Sequence, residues 1–184
     1  HLSIRRQRQM CIRDSISAIG GGANALMIDP ALIGGSVINE GLLYVKGEPL
    51  LDDGDTDVAR AIDMSGTTVI QGDLVNAASG RIIAEGTDAK GINLEGGEIV
   101  GKVINRGLIQ VTGEGATGID VTSNERWTLR DMTDLSGVEN HGSIIASGDD
   151  AQGLLIDGAS FSSETAQVIN TGTIPVSYTH LRAH

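Results

Sequence analysis

Two short strings alternate along this 184-residue chain, and their alternation limits the fold more than any other feature. The first is a pair of small or short residues followed by a branched aliphatic: Ala23-Asn24-Ala25-Leu26, Ala59-Arg60-Ala61-Ile62, Ala89-Lys90-Gly91-Ile92, Ala116-Thr117-Gly118-Ile119 and Ala151-Gln152-Gly153-Leu154. Glycine stands three residues before the leading alanine in four of the five, as Gly20, Gly86, Gly113 and Gly148. The second string is Asn-x-Gly before an apolar run, at Asn39-Glu40-Gly41, Asn105-Arg106-Gly107, Asn140-His141-Gly142 and Asn170-Thr171-Gly172. Asn76 opens a version two residues longer that ends at Gly80. Successive asparagines lie 37, 29, 35 and 30 residues apart, and successive leading alanines 36, 30, 27 and 35. One unit is therefore about 27 residues, a repeat length, with insertions between Gly47 and Ala59 and between Val121 and Asn140.

Within a unit the apolar stretches are short. Leu42 to Val45, Thr68 to Gln71, Arg81 to Ala84, Ile99 to Ile104, Leu108 to Val111 and Ser143 to Ala146 are rich in Ile and Val and bounded by Gly, Asn and Asp, which reads as strands. With 26 glycines in the chain, helices would lose about 1 kcal/mol at each glycine against alanine. Units of three short strands and three corners, stacked on their neighbours, make an all-β, single-stranded right-handed parallel β-helix of about five irregular turns. At about 4.8 Å per turn that is a rod segment of about 24 Å. Corners need residues tolerant of positive φ, and glycine and asparagine supply them. Asparagines stacked turn over turn can also exchange amide hydrogen bonds as a ladder. An antiparallel sandwich with Asn-x-Gly as hairpin turns is the alternative, though hairpins would not require the two strings to alternate.

Composition narrows the class. Hydrophobic residues make up 40 % and aromatics 2 %, so the core is aliphatic and the chain is too apolar for a disordered acidic tail. No apolar run approaches the length of a membrane-spanning helix. Three prolines and no triplet period exclude collagen. The two ends differ from the rest: residues 1–15 hold Arg5, Arg6, Arg8 and Arg13, and residues 175–184 read PVSYTHLRAH. The strings RQRQMCIRDS and PVSYTHLRAH resemble translated sequencing-adapter read-through, which implies that both segments are non-native and that residues 16–174 are the solenoid, an uncapped fragment. With eight basic against 23 acidic residues, that interior carries −15. Such a charge argues against nucleic acid as a partner, which demands a basic footprint. Cys11, the single cysteine, falls in the basic end, so no thiol nucleophile or disulfide framework is expected.

The pattern N-x-G-x-I-x-x-x-G-x-x-A-x-G-I is fullest from Asn105 to Ile119 (NRGLIQVTGEGATGI) and from Asn140 to Leu154 (NHGSIIASGDDAQGL). It resembles the passenger region of Gram-negative autotransporters and related surface-exposed right-handed β-helix proteins. The resemblance implies a cell-surface or secreted rod belonging to a longer polypeptide, with an export signal before it and an outer-membrane β-barrel after it. Its implied partners are further coils of the same polypeptide and a host-cell, matrix or glycan surface. A part of a β-helical polysaccharide lyase or hydrolase, or of a phage tailspike, is the alternative implication.

Candidate chemical groups are few. His141 sits in the variable position of Asn-x-Gly, filled elsewhere by Glu40, Arg106 and Thr171, which marks it as a tolerated corner residue. Asp149-Asp150 would suit glycoside hydrolysis as a carboxylate pair, but Thr87-Asp88 and Glu114-Gly115 fill the same repeat positions, so a solvated turn is expected. Asp53, Asp55 and Asp57 are weak candidates for a hard cation such as Ca²⁺. An EF-hand counted from Asp53 lacks its glycine and its closing glutamate, at Val58 and Met64, so a solvated insertion is the better account. Trp127 and Phe161 lie in or near the longer connections and either dock sugar rings or cap the core. No G-x-S-x-G, H-E-x-x-H or phosphate-loop string is present. Eight basic residues scattered over five turns offer no face where Arg or Lys meets clustered Asp. The expectation is a structural or adhesive stalk with no catalytic residue, no cofactor and no metal, carried by the repeat anchors Asn39, Gly41, Asn76, Asn105, Gly107, Asn140, Gly142, Asn170, Gly172, Ala23, Ala59, Ala89, Ala116 and Ala151.

Overall fold

Each string opens or closes a strand, and the strands stack in parallel from coil to coil. The computed structural model describes residues 10–48, 58–122, 133–161 and 163–177. The first coil holds β1 (Met10–Ile12), β2 (Ile16–Ile19), β3 (Asn24–Ile28) and β4 (Leu32–Ile33). The second holds β5 (Val37–Asn39), β6 (Leu42–Lys46), β7 (Arg60–Ser65) and β8 (Val69–Ile70). The third holds β9 (Leu74–Asn76), β10 (Arg81–Glu85), β11 (Lys90–Glu95) and β12 (Glu98–Ile99). The fourth holds β13 (Val103–Asn105), β14 (Leu108–Thr112), β15 (Thr117–Thr122) and β16 (Asp134–Leu135). The fifth holds β17 (Gly137–Asn140), β18 (Ser143–Ser147) and β19 (Gln152–Asp157), and β20 (Gln167–Asn170) and β21 (Val176–Ser177) begin another.

Four parallel sheets result, each made of one strand per coil: face I is β1-β5-β9-β13-β17-β20, face II β2-β6-β10-β14-β18-β21, face III β3-β7-β11-β15-β19 and face IV β4-β8-β12-β16. The parallel β-helix expected from the repeat is what the chain forms. It has four faces rather than three, because face IV is built from two-residue strands too short to show as a recurring run, even though Thr68 to Gln71 reads as a strand and holds one of them. For the same reason the apolar run Ile99 to Ile104 is not one strand. It breaks at Gly101 into β12 and β13, which lie on different faces. In the fifth coil, face IV persists only as a bridge from Asp134 to Ser160.

Side chains at equivalent positions form columns. Leu43, Ile82, Ile109 and Ile144 from face II, Ile62, Ile92 and Ile119 from face III, Val37, Leu74, Val103 and Val138 from face I and Ile70, Ile99 and Leu135 from face IV are buried in one core. Burying each such side chain is worth about 1.5–3 kcal/mol, and aliphatic stacking replaces the aromatics this chain lacks. The small residue two after the leading alanine, Gly91 for example, permits close approach of its neighbours: a Cβ there would lie 2.5 Å from the Gly118 carbonyl oxygen and 2.7 Å from Ile109 Cγ2. The leading alanines Ala59, Ala89, Ala116 and Ala151 are buried, and Ala23, on the first coil, is half-buried.

The corner chemistry differs from expectation. The ladder asparagines are not at positive φ; they close the strands of face I. Left-handed backbone sits instead two residues before the small-residue strands, at Asp88 (φ 53°) and Asp150 (φ 54°), where other coils use Gly22 and Gly115. The glycines of Asn-x-Gly serve close approach: a Cβ on Gly107 would strike the Gly80 carbonyl oxygen, one on Gly142 that of Gly107, and one on Gly172 that of Gly142. Pairing also runs beyond residues 16–174, since β1 and β21 join faces I and II. There Ile12 takes the register of Asn39, and Asp14 lies beneath Gly41, so the first coil departs from the Asn-x-Gly rule.

Candidate functional site

Three polar assemblies stand out: the first is made by residues at one repeat offset meeting across coils, and the other two join residues at different offsets. The first is the asparagine ladder. Asn39, Asn76, Asn105 and Asn140 are buried, and each donates from Nδ2 to Oδ1 of the next asparagine, at 2.9, 2.8, 2.7 and 2.8 Å, ending at Asn170. The second amide proton of each goes to a backbone carbonyl on that next coil: Arg81, Leu108, Ser143 and Thr173. Both amide protons of four side chains are thus used, so these buried polar groups carry no desolvation deficit on the donor side.

The second assembly lies on the outward side of face III. Ile62, Ile92 and Ile119 and then Met64, Leu94 and Val121 point into the core, so the residues between them, Asp63, Asn93 and Asp120, point away from it in one column. They are nonetheless buried, at 8 %, 1 % and 2 % exposure. Asn93 Nδ2 donates to Asp63 Oδ1 at 2.7 Å, and the Lys90 ammonium donates to Asn93 Oδ1 at 3.2 Å. That ammonium also pairs with Asp120 Oδ2 at 2.6 Å, while Arg60 Nε is 3.8 Å from Asp63 Oδ1. Two cations and two anions, linked through one amide, tie three coils together. Sequence reasoning saw no face where basic residues meet aspartates, and the structure corrects this. The legible signal was the offset: Arg60 and Lys90 follow the leading alanine by one residue, and Asp63, Asn93 and Asp120 by four.

The third assembly is at the corner between faces I and II. Glu139 on β17 accepts from Lys102 Nζ at 2.6 Å and bonds His141 Nε2 at 3.0 Å. His141 Nδ1 is 2.6 Å from Thr171 Oγ1. The hydrogen bond from Lys102, and after it that from His141, holds the Glu139 carboxyl below its ordinary value of 4.5. His141 is therefore a corner residue, as expected, but a bonded one.

The remaining candidates are placed as follows. Asp149 and Asp150 form a turn: Asp150 is exposed, and Asp149 lines an open depression of about 210 Å³ with Thr112, Gly113, Glu114, Ser147 and Gly148. Phe161 is half-buried against the core, which answers the choice between sugar dock and cap in favour of packing. Asp53, Asp55, Asp57 and Trp127 lie outside the described residues. Among the described residues no group of three or more His, Cys, Asp or Glu is placed to hold a metal ion. Among the described residues no helix is long and apolar enough to cross a membrane. Compared with known proteins, the chain matches no family model, no curated protein and no solved structure.

Proposed function

We propose that the chain is a length of a surface-displayed or secreted rod of the autotransporter-passenger type, whose work is extension and adhesive contact. The observation that carries this reading is the unbroken register of asparagines through Asn39, Asn76, Asn105, Asn140 and Asn170. A ladder bonded in both directions resists unstacking, while outward positions such as Tyr44, Ile83, Gln110 and Ile145 on face II vary freely from coil to coil. A scaffold with a constant interior and a variable exterior suits an extended presenting surface. Its partners are then neighbouring coils of one polypeptide and a host-cell, matrix or glycan surface. The test is to place residues 16–174 between an export signal and an outer-membrane barrel. The rod reading expects protease-resistant material on the cell surface that binds glycan- or matrix-coated beads; degradation inside the envelope, or display without binding, refutes it.

A second reading, part of a β-helical polysaccharide-active enzyme, is favoured by one observation, the Arg60, Asp63, Lys90, Asn93 and Asp120 column. Its carboxylates are buried and its two half-buried cations already face them, which fits a structural tie between coils better than a groove awaiting substrate. Release of unsaturated uronides from a polyuronate by the purified chain would reverse that order.

A further inference from the structure

The corner that makes His141 an ordinary repeat position also surrounds it with a hydroxyl and a carboxylate. Thr171 is its counterpart one coil on, and Glu139 precedes it by two residues. The partners fix the tautomer. Glu139 is ionised and accepts only, being bonded by Lys102 Nζ at 2.6 Å, so His141 Nε2 carries the proton shared with Glu139 Oε2. Nδ1 then keeps its lone pair, and the Thr171 hydroxyl 2.6 Å away donates to it. A hydroxyl aimed at one imidazole nitrogen, with a carboxylate holding the other, is the arrangement that activates an alcohol as a nucleophile. Thr171 and His141 are both exposed, so an acyl donor on a macromolecule can approach without a pocket.

We propose that Thr171 is an acyl acceptor, taking an acyl group from an ester or thioester with His141 as general base and with Glu139 and Lys102 as positioning residues. Thr171 Oγ1 bonds to the acyl carbon as its proton passes to His141 Nδ1. The bond from that carbon to the leaving oxygen or sulfur breaks, and the proton moves from His141 to the leaving atom. Thr171 ends as an ester, the imidazole is neutral again, and no electron is transferred. The backbone N–H groups of Thr171 and Gly172 both go to the Asn140 carbonyl, at 2.8 and 3.1 Å, so neither is left to stabilise an oxyanion. The acceleration is therefore that of a general base alone, about 100-fold, the lower end of its usual range. This chemistry would let a rod attach covalently to an ester-bearing surface, and it stands apart from the adhesive reading.

The test treats the whole chain with p-nitrophenyl acetate and maps acetyl groups by peptide mass spectrometry. Thr87 and Thr112, exposed threonines elsewhere on the same chain, serve as internal standards, so the first comparison needs no variant. Thr171 is expected to acquire acetyl about 100-fold faster than either. H141Q should reduce Thr171 to their rate, and T171V should abolish that adduct alone. E139D should keep most of the enhancement and E139Q should lose it. Equal labelling of Thr171 and Thr87 in the unsubstituted chain overturns the proposal, as does full labelling of Thr171 in H141Q. Unchanged labelling in E139Q removes Glu139 from its assigned part.

Discussion

Replacing Asn105 by alanine tests whether the ladder or the aliphatic core sets the spacing of the coils. Asn105 is fully buried at the middle of the ladder. Its side chain accepts from Asn76 Nδ2 at 2.8 Å and donates to Asn140 Oδ1 at 2.7 Å and to the Ser143 carbonyl at 3.3 Å. Truncation leaves one donor and two acceptors inside the rod, and each orphaned buried group costs about 1–3 kcal/mol. The Asn76 amide keeps its second bond, to Leu108, and the Ser143 carbonyl starts with the longest of the three, so the lower half of that range applies. The sum is about 3–6 kcal/mol, a large part of the stability of an ordinary domain. Asn170 is the control. It is exposed and accepts one bond, from Asn140 Nδ2 at 2.8 Å, so water replaces much of what N170A removes and the cost is about 1 kcal/mol.

Urea titration followed by far-ultraviolet circular dichroism reads the difference as a displaced midpoint at constant slope. Because coils interact with nearest neighbours, amide exchange should also rise first in β9, β13 and β17 for N105A and only in β20 for N170A. Equal midpoints for the two variants would refute the reasoning. So would an N105A protein as stable as the parent, since the core alone would then be holding the coils.

Gly91→Ala should destabilise by about 2 kcal/mol, because its Cβ meets Gly118 backbone and Ile109, whereas Gly34→Ala, with nothing within 4 Å, should stay within about 0.5 kcal/mol in the same titration. K90M should cost about 3 kcal/mol by leaving Asp120 buried without its cation, and K90M/D120L should recover most of it; additive losses in that double-mutant cycle would dismiss the pair as a tie. Glu139 has a folded value below its ordinary 4.5, so its contribution is present above pH 4.5 and fades as pH falls through the folded value. Melting temperature should therefore drop on acidification below about pH 4.5, and the drop should be smaller in K102M, where a parallel pH profile would contradict the assignment. The outermost described strands expose Ile19, Met27 and Leu32 at one end and Val168 and Val176 at the other, beside unpaired sheet edges. Sedimentation should show association growing with concentration, and a single monomeric species throughout would count against it.

The anchors were legible because every coil must solve the same local problem with the same residues. Asn76, Asn105 and Asn140 are alike since each must bond the one before and the one after, with Asn39 opening the series, and the leading alanines since each must fit beside the same corner. Face IV surfaced in the sequence only as Thr68 to Gln71, because two residues carry no period, and Ile99 to Ile104 looked continuous because a corner at Gly101 leaves the apolar pattern unbroken. The positive-φ corners were assigned to glycine and asparagine; among the described residues glycines hold most of them, but Asp88 and Asp150 take the place of asparagine, since an aspartate in that turn resembles any solvated acid. The polar assemblies were missed for a different reason. Lys90 and Asp120 are 30 positions apart in sequence, as are His141 and Thr171, so no local motif contains either pair. In a solenoid, however, distance in sequence is not the relevant measure. Residues at one offset from an anchor stand about 4.8 Å from their counterparts on adjacent coils. A chain of this kind is therefore better searched by aligning its own repeats and asking which chemistry recurs or converges down each column. Read in that way, Asp63, Asn93 and Asp120 fall in one column and Arg60 and Lys90 in another three residues earlier on the same strands, and Thr171 falls beside His141.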